Sequence, residues 1–295
     1  MVFAMKVEEF KPGLMARLSA VICAIMLVGA AAPHTSEAAT LQEIKARGYL
    51  VAATEDNFPP FEFIKDGKPT GMDHDLFALL KEQAPFEIRQ QIIPWQGLLT
   101  GVATQQYDLA LSAGTISAQR AEQFDFLMPI AEATHYYVKR KGDKSIAAIK
   151  DLGDRPFGLQ QSSSIHQRLP EVAELVRKSG GGKLHEPKLY ASYSDAFQDL
   201  ALGRIDFVLN SIVSSMDLVR ARPNDFEIGE AVVAPGYHAW AVKRGNDELR
   251  DYLNAFFKQI RESGKLYELQ EKWIGRTFKD LPWEARLPGN QPIPR

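Results

Sequence analysis

The chain has 295 residues, 45% of them hydrophobic and 24% charged, and carries a formal net charge of -2. That length supports a sizeable core and, as a prior, two domains, while the near-neutral balance without any Lys/Arg run excludes a nucleic-acid-binding face. A single cysteine, Cys23, excludes a disulfide framework.

Lys6, Lys11 and Arg17 precede an apolar run from Leu18 to Ala32, followed by a polar stretch and the small residues Ser36, Ala38 and Ala39. This is the layout of a secretory signal over residues 1–38, cleaved after Ala38 or Ala39, and its apolar part is short for a membrane span. Glu8 and Glu9 are foreign to a positive leading region, which raises Met15 as an alternative start. Cys23 lies inside the apolar run without the small residue that precedes a lipid-modified cysteine, so no lipoprotein is expected. Removal of the signal leaves an exported chain without cysteine, which must rest on a conventional core.

Leu41 to Arg47 reads as a short helix leading into a strand, Tyr49 to Thr54. Pro59 and Pro60 hold the next loop extended, presenting Glu55 and Phe58 at a strand's carboxyl end, where open α/β sheets bind ligands. Asp66-Gly67 is a hairpin turn, and Asp73 is placed to cap a helix carrying Leu76, Leu79 and Leu80 on one face. A strand, Phe86 to Ile93, precedes a helix from about Trp95 to Thr104, which puts Trp95 beside a loop.

The densest chemistry lies in Asp108 to Arg120. A short strand is expected to end at Leu111, with Ser112, Ala113, Gly114 and Thr115 as a small-residue loop and Ser117 capping a helix that holds Arg120 in its first turn. A cation and several N–H and O–H donors then face one point, an arrangement suited to a carboxylate. Strands follow at Phe124 to Phe126 and at His135 to Val138, and a charged turn spans Lys139 to Lys144. Pro156 to Leu159 opens a new β unit, with Gln160 to Ser164 as its polar loop and a helix running to about Ser179, where three glycines end it.

An internal echo organises these segments. GLLTGVATQQYDLALSAG and AFQDLALGRIDFVLNSI share one grammar of helix, polar turn, aspartate and apolar strand, with Asp108 and Asp206 at corresponding points. Two similar βα halves with a site between them follow from it. The remaining part reads as two helices, the first capped by Asn246 and bearing Leu249, Leu253, Phe256, Phe257 and Ile260, the second stopped by Gly275, and a proline-rich surface arm. His135, His166, His185 and His238 have no metal-ligand spacing and read as packing or surface residues.

The ordered series ATEDNFPPFEF, GKPTGMDHDL, PWQGLL, DLALSAGTISAQR, FGLQQSSS, GRIDFVLNS and GKLYELQEKWIG resembles the polar-amino-acid class of periplasmic solute-binding proteins, family 3, from Leu41 to Gly275. The resemblance implies an α/β, two-lobed periplasmic-binding-protein fold of type II, with mixed, mostly parallel sheets flanked by helices and two crossing hinge strands. The expected first lobe is residues 39–136 plus 237–295 and the second 137–236, with crossings near His135 to Val138 and Tyr237 to Val242. The implied function is that of the monomeric solute-binding component of an ABC importer, which captures an amino acid or amino-acid-like carboxylate by lobe closure and passes it to the permease, with no cofactor or metal.

By the same resemblance Arg120 grips the ligand carboxylate with Ser112, Gly114 and Thr115 beside it, Phe58 and Trp95 form aromatic walls, Glu55 reads a ligand cation, and Ser163 and Ser164 contribute from the second lobe. One position departs: where the amino-acid binders place an aspartate for the ligand's α-ammonium, this chain has Ser211. A dehydratase of cyclohexadienyl acids shares the implied fold and is the enzymatic alternative, with Glu55 as its only obvious acid; a sensory or accessory receptor is the third reading.

Overall fold

The computed structural model describes residues 39–294, so the expected signal segment 1–38 and Cys23 lie outside the described residues. Thr40 caps α1 (Leu41–Arg47): its hydroxyl accepts from the Glu43 N–H while Glu43 accepts from the Thr40 N–H at 2.8 Å. Strand β1 (Tyr49–Glu55) follows. The short strands β2 (Asn57–Phe58), β3 (Glu62–Lys65) and β4 (Lys68–Thr70) form a small sheet whose last turn is Asp66-Gly67, both at positive φ.

Helix α2 (Met72–Gln83) is capped by Gly71 rather than by Asp73. Asp73 sits inside the first turn with its carboxyl fully buried beside Glu62, a partner on β3 that no local reading supplies. Then come β5 (Glu87–Ile93), α3 (Trp95–Ala103), β6 (Leu109–Thr115), the short α4 (Ala118–Ala121), β7 (Phe124–Phe126) and β8 (Ala131–Glu132). Ser112 to Thr115 is therefore strand, not loop. Gly114 and Thr115 pair with Ala239 and His238 from the far end of the chain, and that pairing extends β6.

The second run comprises β9 (His135–Arg140), β10 (Phe157–Gln160), α5 (Ser164–Gln167), α6 (Leu169–Lys178), β11 (Lys188–Tyr190), α7 (Tyr193–Ala201), β12 (Phe207–Ser211), α8 (Ile212–Ala221) and β13 (Phe226–Ala231). The helix expected to run unbroken to Ser179 is divided at Arg168, with Pro170 in the first turn of α6, where its missing N–H costs nothing. There follow β14 (Tyr237–Lys243), α9 (Asp247–Glu262) and α10 (Lys265–Ile274), and the proline-rich arm ends in a short hairpin of Arg286–Leu287 with Gln291–Pro292. Leu249, Leu253, Phe256, Phe257 and Ile260 of α9 are buried, and Phe257 meets Trp240 edge to face at 5.0 Å.

Two mixed sheets result, in the orders β5-β1-β6-β14-β7, with β8 also on β14, and β11-β10-β12-β9-β13. In the first, β1 is parallel to β5 and β6 and β14 runs antiparallel to β6; in the second, β10 is parallel to β11 and β12 and β9 runs antiparallel to β12. The sequence echo has a backbone counterpart: the Asp108 N–H donates to Val51 O and the Asp206 N–H to Pro156 O, each at 2.8 Å. The chain passes between the sheets twice, from Glu132 to His135 and from Ala231 to Tyr237. These passages lie side by side, since the Ala133 N–H donates to Gly236 O at 2.8 Å.

Candidate functional site

The parallel strands of both sheets end at one cavity: Glu55, Thr115, Gln160 and Ser211, the last residues of β1, β6, β10 and β12, all line it. It holds about 350 Å³ of atom-free space, part of it continuous with solvent. Every residue singled out from the sequence for this site is on its wall, joined by Ala113, His135, Gln160, Tyr193 and Asn210.

Arg120 is held by contacts from both sides. Ser117 caps α4 by accepting from the Arg120 N–H, which fixes the backbone, and Nη1 donates to Thr115 O at 2.8 Å. Nη2 donates across to Ser162 O at 3.0 Å, and Trp95 Nε1 donates to the same carbonyl at 3.3 Å. Ser162 adopts φ 62°, a left-handed conformation that sits at the turn after β10. The guanidinium lies over the Trp95 ring, 4.9 Å from its centroid. Burial pushes the Arg120 guanidinium down to about 10, so it stays charged at neutral pH. Two of its five N–H groups serve carbonyls, which leaves a fixed fork for an anion.

Glu55 faces it from β1, fully buried, with Oε1 accepting from Gln160 Nε2 at 2.8 Å. Burial raises its pKa from 4.5 to about 8, against the lowering effects of the Gln160 hydrogen bond and the Arg120 charge. Below that pH the carboxyl is protonated, and a bound cation would draw the proton off. Because the folded form binds this proton more tightly than the unfolded chain does, its stabilising contribution is complete below pH 4.5 and is lost as the pH rises through about 8. Glu55→Gln is therefore expected to gain stability relative to the wild type across that interval, in urea midpoints taken at several pH values; parallel curves would show that Glu55 is not protonated in the empty cavity.

Phe58 stacks on Phe61 at 5.5 Å and faces Tyr193 of α7 at 6.5 Å, so the aromatic wall spans both halves. The Ser112 hydroxyl donates to Glu62 Oε1 on β3. Burial and the neighbouring Asp73 hold the Glu62 carboxyl well above its usual range. Asn210 Oδ1 accepts from the Ser211 N–H at 2.7 Å. His238, read from sequence as a packing residue, is fully buried behind Phe61 at 4.8 Å, but His135 lines the cavity instead. Gln160 and Asn210 stand inside the motifs FGLQQSSS and GRIDFVLNS and were within reach of sequence reasoning. Tyr193 and His135 carry no local signal. Among the described residues no group of three His, Cys, Asp or Glu is placed to hold a metal ion, and no helix is long and apolar enough to cross a membrane.

The sequence profile of the bacterial extracellular solute-binding proteins, family 3, matches residues 50–276. The chain belongs to that family. Among relatives of this solute-binding protein, the L-cystine-binding protein TcyJ of Escherichia coli K12 is 24% identical over 260 residues, covering 88% of this chain and 94% of the relative. The arginine-binding extracellular protein ArtP of Bacillus subtilis is 26% identical over 227 residues, 76% of this chain and 86% of ArtP. A solved structure of an ancestral arginine-binding protein bound to arginine superposes with a TM-score of 0.68 at 29% identity, over 78% of this chain and 99% of its own. The two sheets of this solute-binding protein thus belong to the two-lobed fold of periplasmic amino-acid-binding proteins. These relatives carry the names of binding proteins, not of enzymes.

Proposed function

We propose that this chain is the periplasmic receptor of an ABC importer and captures a small amino-acid-like carboxylate between two lobes. The observation that carries the reading is the buried Arg120 fork, anchored on one side by Thr115 O and on the other by Ser162 O, at a cavity where both sheets end. The lobes are residues 39–136 with 237–295 and residues 137–236, except that His135 and Tyr136 already pair with Ser211 and Asn210 in the second sheet, and the two adjacent passages between the sheets serve as the hinge. The ligand's carboxylate lies on Arg120 beside Ser112, Gly114 and Thr115. Its body lies between Phe58 and Trp95, with Ser163, Ser164 and Ser211 closing from the second lobe and Glu55 reading what remains. Closure brings both lobes into one surface for a permease, after export under the segment 1–38. Relatives named for cystine and arginine support an amino-acid-like ligand.

Two charge-assisted bonds contribute roughly 3–6 kcal/mol, short of the about 8 that micromolar binding requires. Stacking on the aromatic walls and exclusion of water supply the rest. Calorimetry of ligand-stripped, refolded protein against the common amino acids and their carboxylate analogues is expected to give at least one dissociation constant near the micromolar range. Absence of any binding at about 1 mM would overturn the reading.

A further inference from the structure

The end of the cavity nearest the passages between the sheets is lined by the uncharged side chains of Ser164, Asn210 and Ser211 and by His135. Ser211 ends β12, and its directly opposed neighbour on β9 is His135. Both side chains are on the cavity wall, 1% and 3% exposed. Ser211 Oγ lies 3.4 Å from Ser214 Oγ, and His135 Nε2 lies 3.5 Å from Ser164 Oγ. His135 Nδ1 is buried and, among the described residues, has no hydrogen-bond partner. Such an orphan is costly unless a ligand or a water completes it.

Burial, and after it the neighbouring His238, Arg168 and Arg120, lower the His135 pKa well below its usual range, so the imidazole is neutral. Arg168 is itself paired with Glu171 at 2.7 Å, on the outer side of α6. Asn210 spends its amide oxygen on the Ser211 N–H, which leaves its amino group as the donor it can offer the cavity. The carboxyl in the cavity wall, Glu55, belongs to β1 and is already bonded to Gln160. An ammonium at this end would be desolvated beside arginines with hydroxyls and a neutral ring for company, whereas an oxygen finds donors.

We propose that His135 and Ser211 form a specificity subsite for an oxygen on the carbon next to the ligand's carboxylate, so that the protein selects 2-oxo or 2-hydroxy acids over the corresponding α-amino acids. This rests on the reading that Arg120 holds that carboxylate. It goes beyond it in naming the neighbouring group.

The test is calorimetry on ligand-stripped protein with three matched sets: pyruvate, lactate and alanine; 4-methyl-2-oxopentanoate, its 2-hydroxy analogue and leucine; 2-oxoglutarate, 2-hydroxyglutarate and glutamate. An oxygen acid is expected to bind at least roughly tenfold tighter than its amino acid in one or more sets, the equivalent of a single well-made buried hydrogen bond. His135→Phe should bring that ratio near one, His135→Gln should keep it within about threefold, and Ser211→Asp should reverse it in favour of the amino acid. The proposal is overturned if no oxygen acid binds, if the amino acid is the tighter member of every set, or if His135→Phe weakens both members equally and Ser211→Asp leaves the ratio unchanged. Oxygen-acid binding that survives Arg120→Ala would instead remove the carboxylate reading beneath it.

Discussion

Arg120→Ala is expected to weaken binding of the ligand carboxylate by at least about a hundredfold, equivalent to roughly 2.7 kcal/mol. Thr115 O and Ser162 O fix two N–H groups of the guanidinium before any ligand arrives, so the remaining fork is preorganised and loses little entropy on binding. Alanine deletes two charge-assisted bonds and leaves the ligand's anion buried without a counter-charge, and the second effect adds to the first. Arg120→Lys keeps the charge but not the planar fork, and should fall between the two. The empty protein should tolerate the change. Burial already pulls the guanidinium down to about 10, a sign that the fold bears a desolvation cost for keeping it there. The expected pattern is therefore lost affinity by calorimetry with a nearly unchanged urea midpoint of ligand-free protein. A loss under about tenfold would show that the carboxylate lies elsewhere.

How much of this site was legible before the fold depended on whether the signal was local. Ser117 at the start of α4, the turn Asp66-Gly67 and the glycine ending α10 are each dictated by a few adjacent residues, and the structure has them as read. The echo around Asp108 and Asp206 was legible because each aspartate immediately precedes a strand laid parallel to an earlier one. Ser112 to Thr115 misled because small residues favour loops, and only β14, arriving from the other end of the chain, makes them strand. Asp73 misled for a similar reason, since its partner Glu62 sits across a hairpin. His135 was invisible as a cavity residue: its place depends on register with Ser211, and no window of sequence contains both.

The same hairpin holds the most severe single substitution expected for the fold, Gly71→Ala. Gly71 has φ 129°, outside what side-chain-bearing residues adopt, and a Cβ there would lie 2.2 Å from Phe61 O and 2.6 Å from Phe61 C. Those are backbone atoms and cannot swing aside. The approach is close because the Met72 N–H donates to Pro60 O at 3.0 Å and the Asp73 N–H to Phe61 O at 2.8 Å, which fastens the start of α2 to the loop carrying Phe58. A methyl group must break those bonds, pull the buried Asp73 from Glu62 and shift the aromatic wall, so a loss of about 3 kcal/mol or more is expected, with weakened ligand binding as a consequence. Gly67→Ala is the matched control: it too has positive φ, 73°, but nothing lies within 4 Å of its Cβ. Its cost should be only the left-handed backbone penalty, roughly 1–2 kcal/mol. Urea unfolding of the two variants separates them, and equal midpoints would mean that the contact between Gly71 and Phe61 does not hold the site's loop in place.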